Sequence, residues 1–229
     1  GLYTFERSSR GQFDASHRAT RERARAEVLL HRVLPKAIVP RVQAGERPIA
    51  DAYPEVTVLF AHLVGFSTIA KQLPPDLLAE ALDGIYTSMD AACARRGVEK
   101  IKTLGTTYMA AAGVPIPTVD HAKTVAELAL AIRATVQATP SVAGVRVRVR
   151  IGLESGPVVA GVLGTRRLAF DLWGSTVNTA SRLERGAATD QIHVGPAARG
   201  QLGAAFRLRA VEPSAHEGSP MVTRWMLDG

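Results

Sequence analysis

Apolar and polar positions recur along this chain with two different periods, and the periods predict its elements. From about Asp14 to Val42 the period is helical: Val28, Leu29, Leu30, Val33, Leu34, Ala37, Ile38 and Val42 return at steps of three and four. Pro35 and Pro40 interrupt the stripe, so the pattern predicts one long helix and then a kinked shorter one. A lone amphipathic helix has nothing to cover such a stripe. Leu30, Leu34, Ile38 and Val42 are therefore expected to bury across a two-fold interface, as a short coiled coil. Residues 1–12 show no periodicity and read as a frayed leader, while 44–54 (AGERPIADAYP), with a glycine and two prolines, reads as a linker.

Beyond the linker, strand and helix signals alternate. Strands are expected at Val56–Val64, Lys100–Leu104, Tyr108–Ala112, Val145–Leu153, Val158–Leu163, Leu168–Leu172, Ile192–Val194, Phe206–Ala210 and Val222–Leu227. Helices are expected at Asp76–Ala94, Asp120–Thr139 and Ser175–Arg185. The run VRVRVRIGL alternates strictly, with one face dry and one wet, and EKIKTLGTTYMAAAG reads as a hairpin. Together they predict an α+β fold in which one mixed sheet carries packed helices, preceded by a dimerising N-terminal helix. The expected organisation is 1–49 as leader, helix and linker, and 50–229 as the main domain.

Composition narrows the class. The 229 residues are 46% hydrophobic and 21% charged, which is globular, and no apolar run approaches the length that spans a bilayer. The first 25 residues are polar and Arg-rich, unlike a secretory signal. Cys93 is the only cysteine, so no internal disulfide can form. The expectation is a cytoplasmic domain, standing alone or as the cytosolic part of a larger membrane-bound protein, with membrane contact only through sequence outside this chain. The formal net charge of +7 is concentrated in residues 1–50, where ten Lys/Arg face five Asp/Glu. With aromatics at 5% and the charge excess on one segment, no nucleic-acid partner is expected.

Generic chemical motifs are missing: no GxxxxGK[ST], no strand-linked GxGxxG, no HExxH and no CxxC. The histidines at 17, 31, 62, 121, 193 and 216 lack ligand spacing. Four ordered segments stand out instead: VTVLFAHLVGFS (56–67), EKIKTLGTTYMAAAG (99–113), GLESGPVVAGVLGTRRLAFDLWGSTVNTASRLE (152–184) and MVTRWML (221–227). Together they resemble the catalytic domains of class III nucleotidyl cyclases, the adenylyl and guanylyl cyclases, over about residues 50–228. The helix LLHRVLPKAIVPRVQAG is similar to the signalling helix that precedes many of those domains.

The resemblance implies a ferredoxin-like βαβ-based fold acting as a head-to-tail dimer, with two nucleotide sites built from both protomers. In such a site two aspartates of one protomer hold two divalent metals, and the ribose 3′-oxygen attacks the α-phosphorus to expel pyrophosphate. Lys102 matches the lysine that donates to the adenine ring, and Asp171 the residue that accepts from its amino group, a pairing that selects ATP. Asn178 and Arg182 lie four apart on one helix face and match the residues that orient the ribose and support charge at the α-phosphate. Arg166 matches a phosphate-binding arginine.

The departures from the family pattern are equally specific. The first metal aspartate of FADIVGF is His62 in FAHLVGF, and the second, in GDAYM, is Thr106 in GTTYM. A neutral imidazole and a hydroxyl bring no negative charge to magnesium. A KGKG loop in many relatives aligns its lysines with Glu217 and Ser219. Three readings follow. The domain is a base-reading half that pairs with a metal-competent partner, which supplies most of the magnesium or manganese site. Or it is a pseudo-cyclase, a regulatory, nucleotide-sensing or dimerising domain without turnover. Or it is a weak homodimer using manganese through His62.

Overall fold

In the computed structural model, residues 21, 25, 27–164, 168–211 and 223–228 are described. The chain divides into two compact units, residues 1–49 with 162–170 and residues 50–161 with 171–229.

In the smaller unit, residues 27–33 form helix α1 and Val39–Gln43 form α2. Pro40 lies in the first turn of α2, where its missing N–H has no helical partner to lose. The expected stripe behaves differently from its prediction. Leu34, Ile38 and Val39 are already buried in the single chain, and Leu30 and Val42 are half-buried. Val28, Leu29 and Val33 carry the exposure instead, at 56%, 61% and 62%. The periodicity marked the apolar residues correctly but could not say which of them the chain covers by itself.

The larger unit is built on an eight-stranded sheet. Its strands are β1 (Ile49–Val64), β2 (Glu99–Leu104), β3 (Thr107–Ala112), β4 (Arg148–Val162), β5 (Phe170–Trp173), β6 (Ile192–Val194), β7 (Leu208–Val211) and β8 (Arg224–Leu227). The order is β2-β3-β1-β4-β6-β8-β7, with β5 pairing to β4. β1–β3, β2–β3, β6–β8 and β7–β8 run antiparallel and β4–β6 parallel, so the sheet is mixed as expected. Most boundaries move by a few residues, and two differences are larger. β1 begins at Ile49, inside the supposed linker; its ladder with β3 starts only at Thr57, so Pro54 removes no bond from that ladder. The two strands expected on either side of Gly156-Pro157 are one continuous strand, β4.

Helices α3 (Phe66–Ile69), α4 (Pro75–Arg96), α5 (His121–Ala138), α6 (Ser175–Arg185) and α7 (Pro196–Leu202) complete the unit. Alternation along the strands assigns one sheet face to the main core. Leu59, Ala61 and Leu63 of β1, Tyr108 and Ala110 of β3, and Val149, Ile151 and Leu153 of β4 all join it. They meet Met89 and Cys93 of α4 and Leu128 and Ile132 of α5. The residues between them on the strands, His62, Thr107, Met109 and Arg150, therefore face the other way. Helix α6 lies over that second face, and Gly152 is why it can. A Cβ at Gly152 would stand 2.1 Å from Glu184 N and 2.5 Å from Ala180 O, so only glycine admits the helix backbone.

Candidate functional site

Of the residues that the sequence singled out, the second sheet face carries His62, Lys102 and Asp171, and α6, which bears Asn178 and Arg182, lies over it. Lys102 on β2 and Asp171 on β5 lie 69 positions apart, and Lys102 Nζ donates to Asp171 Oδ2 at 2.5 Å. The carboxylate is aimed by its own backbone, because Oδ1 accepts the Leu172 amide at 2.8 Å and Oδ2 is left for the lysine. Lys102 is 36% exposed and Asp171 23%, so the pair contributes no more than about 1 kcal/mol. A ligand offering an acceptor beside a donor can replace it at little cost.

A β-bulge decides where Lys102 points. In regular strand geometry Lys100 and Lys102 share a face. Here Lys100 pairs with Ala110 and Lys102 with Met109, and the register shifts between them. Ala110 belongs to the α4–α5 core and Met109 does not. Lys100 accordingly turns back to α4, where its Nζ bonds Asp90 Oδ2 at 2.7 Å, while Lys102 turns to Asp171.

Asn178 and Arg182 sit one turn apart on α6, both exposed, and neither side chain makes a hydrogen bond among the described residues. The helix starts directly after β5, at Gly174 with φ 142°, where a Cβ would come within 3.3 Å of Pro157 O. Lys102 and Asp171 are thus joined to each other, and Asn178 and Arg182 are joined to neither.

Among the described residues no hydrogen bond joins the side chains of His62 and Thr106. His62 Nδ1 lies 2.9 Å from the hydroxyl of Thr107, the next residue along, and Thr106 sits in the β2–β3 turn with its carbonyl accepting the Leu63 amide at 2.9 Å. Burial lowers the His62 pKa, the nearby Arg150 guanidinium lowers it further, and Glu184 opposes them. At neutral pH the imidazole is uncharged. Among the described residues no group of three or more His, Cys, Asp or Glu side chains converges as a metal cage. Arg166, Glu217 and Ser219 lie outside the described residues.

Two ion pairs escaped the sequence reading, one on this face and one on the α4 side of the sheet. Arg150 and Glu184 form an ion pair at 2.5 Å beside His62. The signal was Arg150 in the wet phase of VRVRVR, but nothing local distinguishes it from Arg146 or Arg148. The second is the Lys100–Asp90 pair, invisible because the bulge leaves no mark in EKIKTLG.

The family model for the adenylate and guanylate cyclase catalytic domain matches residues 49–229. The chain belongs to this family, the class III nucleotidyl cyclases. An adenylate cyclase of Mycobacterium tuberculosis is 39% identical over 209 residues, covering 91% of this chain and 47% of that protein. The human guanylate cyclase soluble subunit beta-2 is 34% identical over 178 residues, covering 77% of this chain and 29% of its own length. The chain therefore spans half or less of these relatives. Among solved structures, the guanylate cyclase domain of RhGC from Catenaria anguillulae in complex with GTP superposes with a TM-score of 0.74 at 30% identity, over 78% of this chain and 98% of that one. The cyclase fold, an α+β mixed sheet with packed helices, is the one derived above. No helix among the described residues is long and apolar enough to cross a membrane.

Proposed function

We propose that this cyclase domain is the adenine-reading half of a two-chain site, making cyclic AMP and pyrophosphate from ATP beside a partner that brings the metal carboxylates. The observation that carries the reading is the Lys102–Asp171 pair, a donor and an acceptor side by side and partly exposed on one sheet face. Adenine presents the complement: a ring nitrogen that accepts next to an amino group that donates. Guanine reverses both positions, and each mismatch strands a polar group at a cost of about 1–3 kcal/mol.

The other residues take roles consistent with their placement. Asn178, exposed on α6, orients the ribose, and Arg182 one turn on supports the negative charge that grows at the α-phosphate. The 3′-hydroxyl gives its proton to water and its oxygen bonds to the α-phosphorus as the bond to the bridging oxygen breaks and pyrophosphate leaves. Arg166 would act on phosphate in the opposite site, where this chain faces the other way. Exposed Leu104 and Val159 in the larger unit offer apolar area for a second domain.

The residues at the positions that relatives use for metal do not fit magnesium. His62 offers a neutral ring with Nδ1 engaged by Thr107, Arg150 adds a cation nearby, and Thr106 is a turn hydroxyl. Magnesium or manganese belongs to the partner's half. A second reading is a regulatory pseudo-cyclase that binds nucleotide or only dimerises, favoured by the way Lys102 and Asp171 already satisfy each other.

The deciding experiment is an ATP turnover assay on the domain alone and mixed with a metal-competent cyclase domain, in magnesium and in manganese. Cyclic AMP in the mixture, lost on Lys102→Ala, supports the adenine-reading half. No gain in any mixture, with nucleotide binding intact, leaves the sensing domain.

A further inference from the structure

We propose that Lys100, Asp90 and Tyr108 form a register lock behind the β2–β3 hairpin, which keeps Lys102 turned toward Asp171 and so sets the adenine preference. The inference rests on the adenine-reading function and names the residues that position its key side chain.

Two pins hold the hairpin to α4. At one end Lys100 Nζ bonds Asp90 Oδ2 at 2.7 Å and stands 5.3 Å above the Tyr108 ring. Tyr108 is fully buried, and its hydroxyl donates to Asp90 Oδ1 at 2.7 Å, so both oxygens of Asp90 are used. Cys93, also on α4, backs the phenol at 3.3 Å. Burial raises the pKa of both Tyr108 and Cys93, keeping them neutral donors. At the other end the Tyr86 hydroxyl donates to the Gly105 carbonyl in the turn at 2.7 Å.

The extra residue between the pins is what separates the lysines. Glu99 and Lys100 pair with Ala111 and Ala110, while Lys102, Thr103 and Leu104 pair with Met109, Tyr108 and Thr107, so Ile101 is the surplus residue. A strand that loses its bulge slips by one position, and every side chain beyond it changes face. In the slipped register Lys102 would point to α4, where the Asp90 carboxylate now held by Lys100 would offer it a partner. Lys100 therefore does two things: it anchors the strand, and it occupies the carboxylate that would otherwise attract Lys102.

This competition separates a positioning role from a merely structural one. Losing Lys100 alone frees Asp90 to draw Lys102 away from the base, while losing Asp90 as well removes the rival carboxylate. A structural defect would only deepen with the second substitution; a misdirected Lys102 would partly recover.

The test is titration of the full chain with ATP and with GTP, in magnesium, followed by NMR shifts, which read affinities into the millimolar range. Lys100→Met is expected to reduce the ATP-over-GTP ratio roughly tenfold, Lys100→Arg to preserve it, and Lys100→Met with Asp90→Asn to restore part of it. GTP affinity and the thermal midpoint serve as controls for the fold. A Lys100→Met protein with the parental ratio, or a double variant no better than the single, overturns the lock. If in that case Lys102→Ala still abolishes the preference, the adenine-reading function stands. If Lys102→Ala leaves the ratio of the parent unchanged, the function itself fails and the lock with it.

Discussion

Lys102 Nζ and Asp171 Oδ2 lie 2.5 Å apart across 69 residues of sequence, so the donor and acceptor proposed to read the adenine base also bond each other. The pair is the point from which the chemistry of this cyclase domain is best tested.

Removing either partner should erase base selection without erasing binding. Lys102→Ala and Asp171→Ala are each expected to cut ATP affinity by about 1–3 kcal/mol and to bring ATP and GTP level. Calorimetry with both nucleotides checks this, and an undiminished ATP preference in both variants would falsify the assignment.

Arg182 is exposed on α6 with no hydrogen bond among the described residues, so its replacement costs little stability. In a mixed site with a metal-competent partner, Arg182→Ala should lower kcat by about a hundredfold or more while KM changes little. A rise in KM at constant kcat would instead make it a ground-state binding residue.

The domain alone in magnesium should form almost no cyclic AMP, because His62 and Thr106 bring no negative charge. Introducing His62→Asp with Thr106→Asp should raise magnesium-dependent turnover. The gain is capped by Arg150, which shifts the His62 position toward the neutral form of a base and would pair with a new carboxylate there. A double variant as silent as the parent would point to dimer geometry rather than to missing metal ligands.

His193, on β6, is buried among the central strands, and its pKa is lowered to about 4 by burial and then by Arg224, with the Leu183 carbonyl opposing. In the unfolded chain the ring titrates near 6.5, so between those values the unfolded state binds more protons. The stabilisation is present above about pH 6.5, falls as the pH drops toward 4, and levels off below. It amounts to something on the order of 2–3 kcal/mol. Urea unfolding at pH 7 and pH 4.5 should show a smaller pH effect in His193→Gln than in the parent; equal effects would assign the acid sensitivity to carboxylates.

The exposed face of α1, not its expected stripe, should govern self-association. Val33→Glu places a charge among Val28, Leu29 and Val33 and is expected to weaken the dimer in sedimentation, whereas Leu34→Ala, at a buried site, should lower stability instead. The reverse pattern would return the interface to Leu30, Leu34, Ile38 and Val42.

Features under short-range chemical control can be read directly from the string of residues. The alternation in VRVRVRIGL located β4, the bounds of α6 at Ser175–Arg185 and of β6 at Ile192–Val194 were legible residue for residue, and the ordered motifs led to the cyclase family. These depend on periodicity and local spacing, which a linear string records. The folded chain adds that Leu34 and Ile38 are buried within a single chain, that Gly152 is the floor on which α6 rests, and that Lys100 and Lys102 part company at Ile101. The seat of α6 on Gly152 and the parting of the two lysines are each settled by neighbours distant in sequence. Asp90 and Asp171 hold the two lysines from opposite faces of the sheet, and a strand register is chosen by the sum of such contacts, not by the residues of the strand alone.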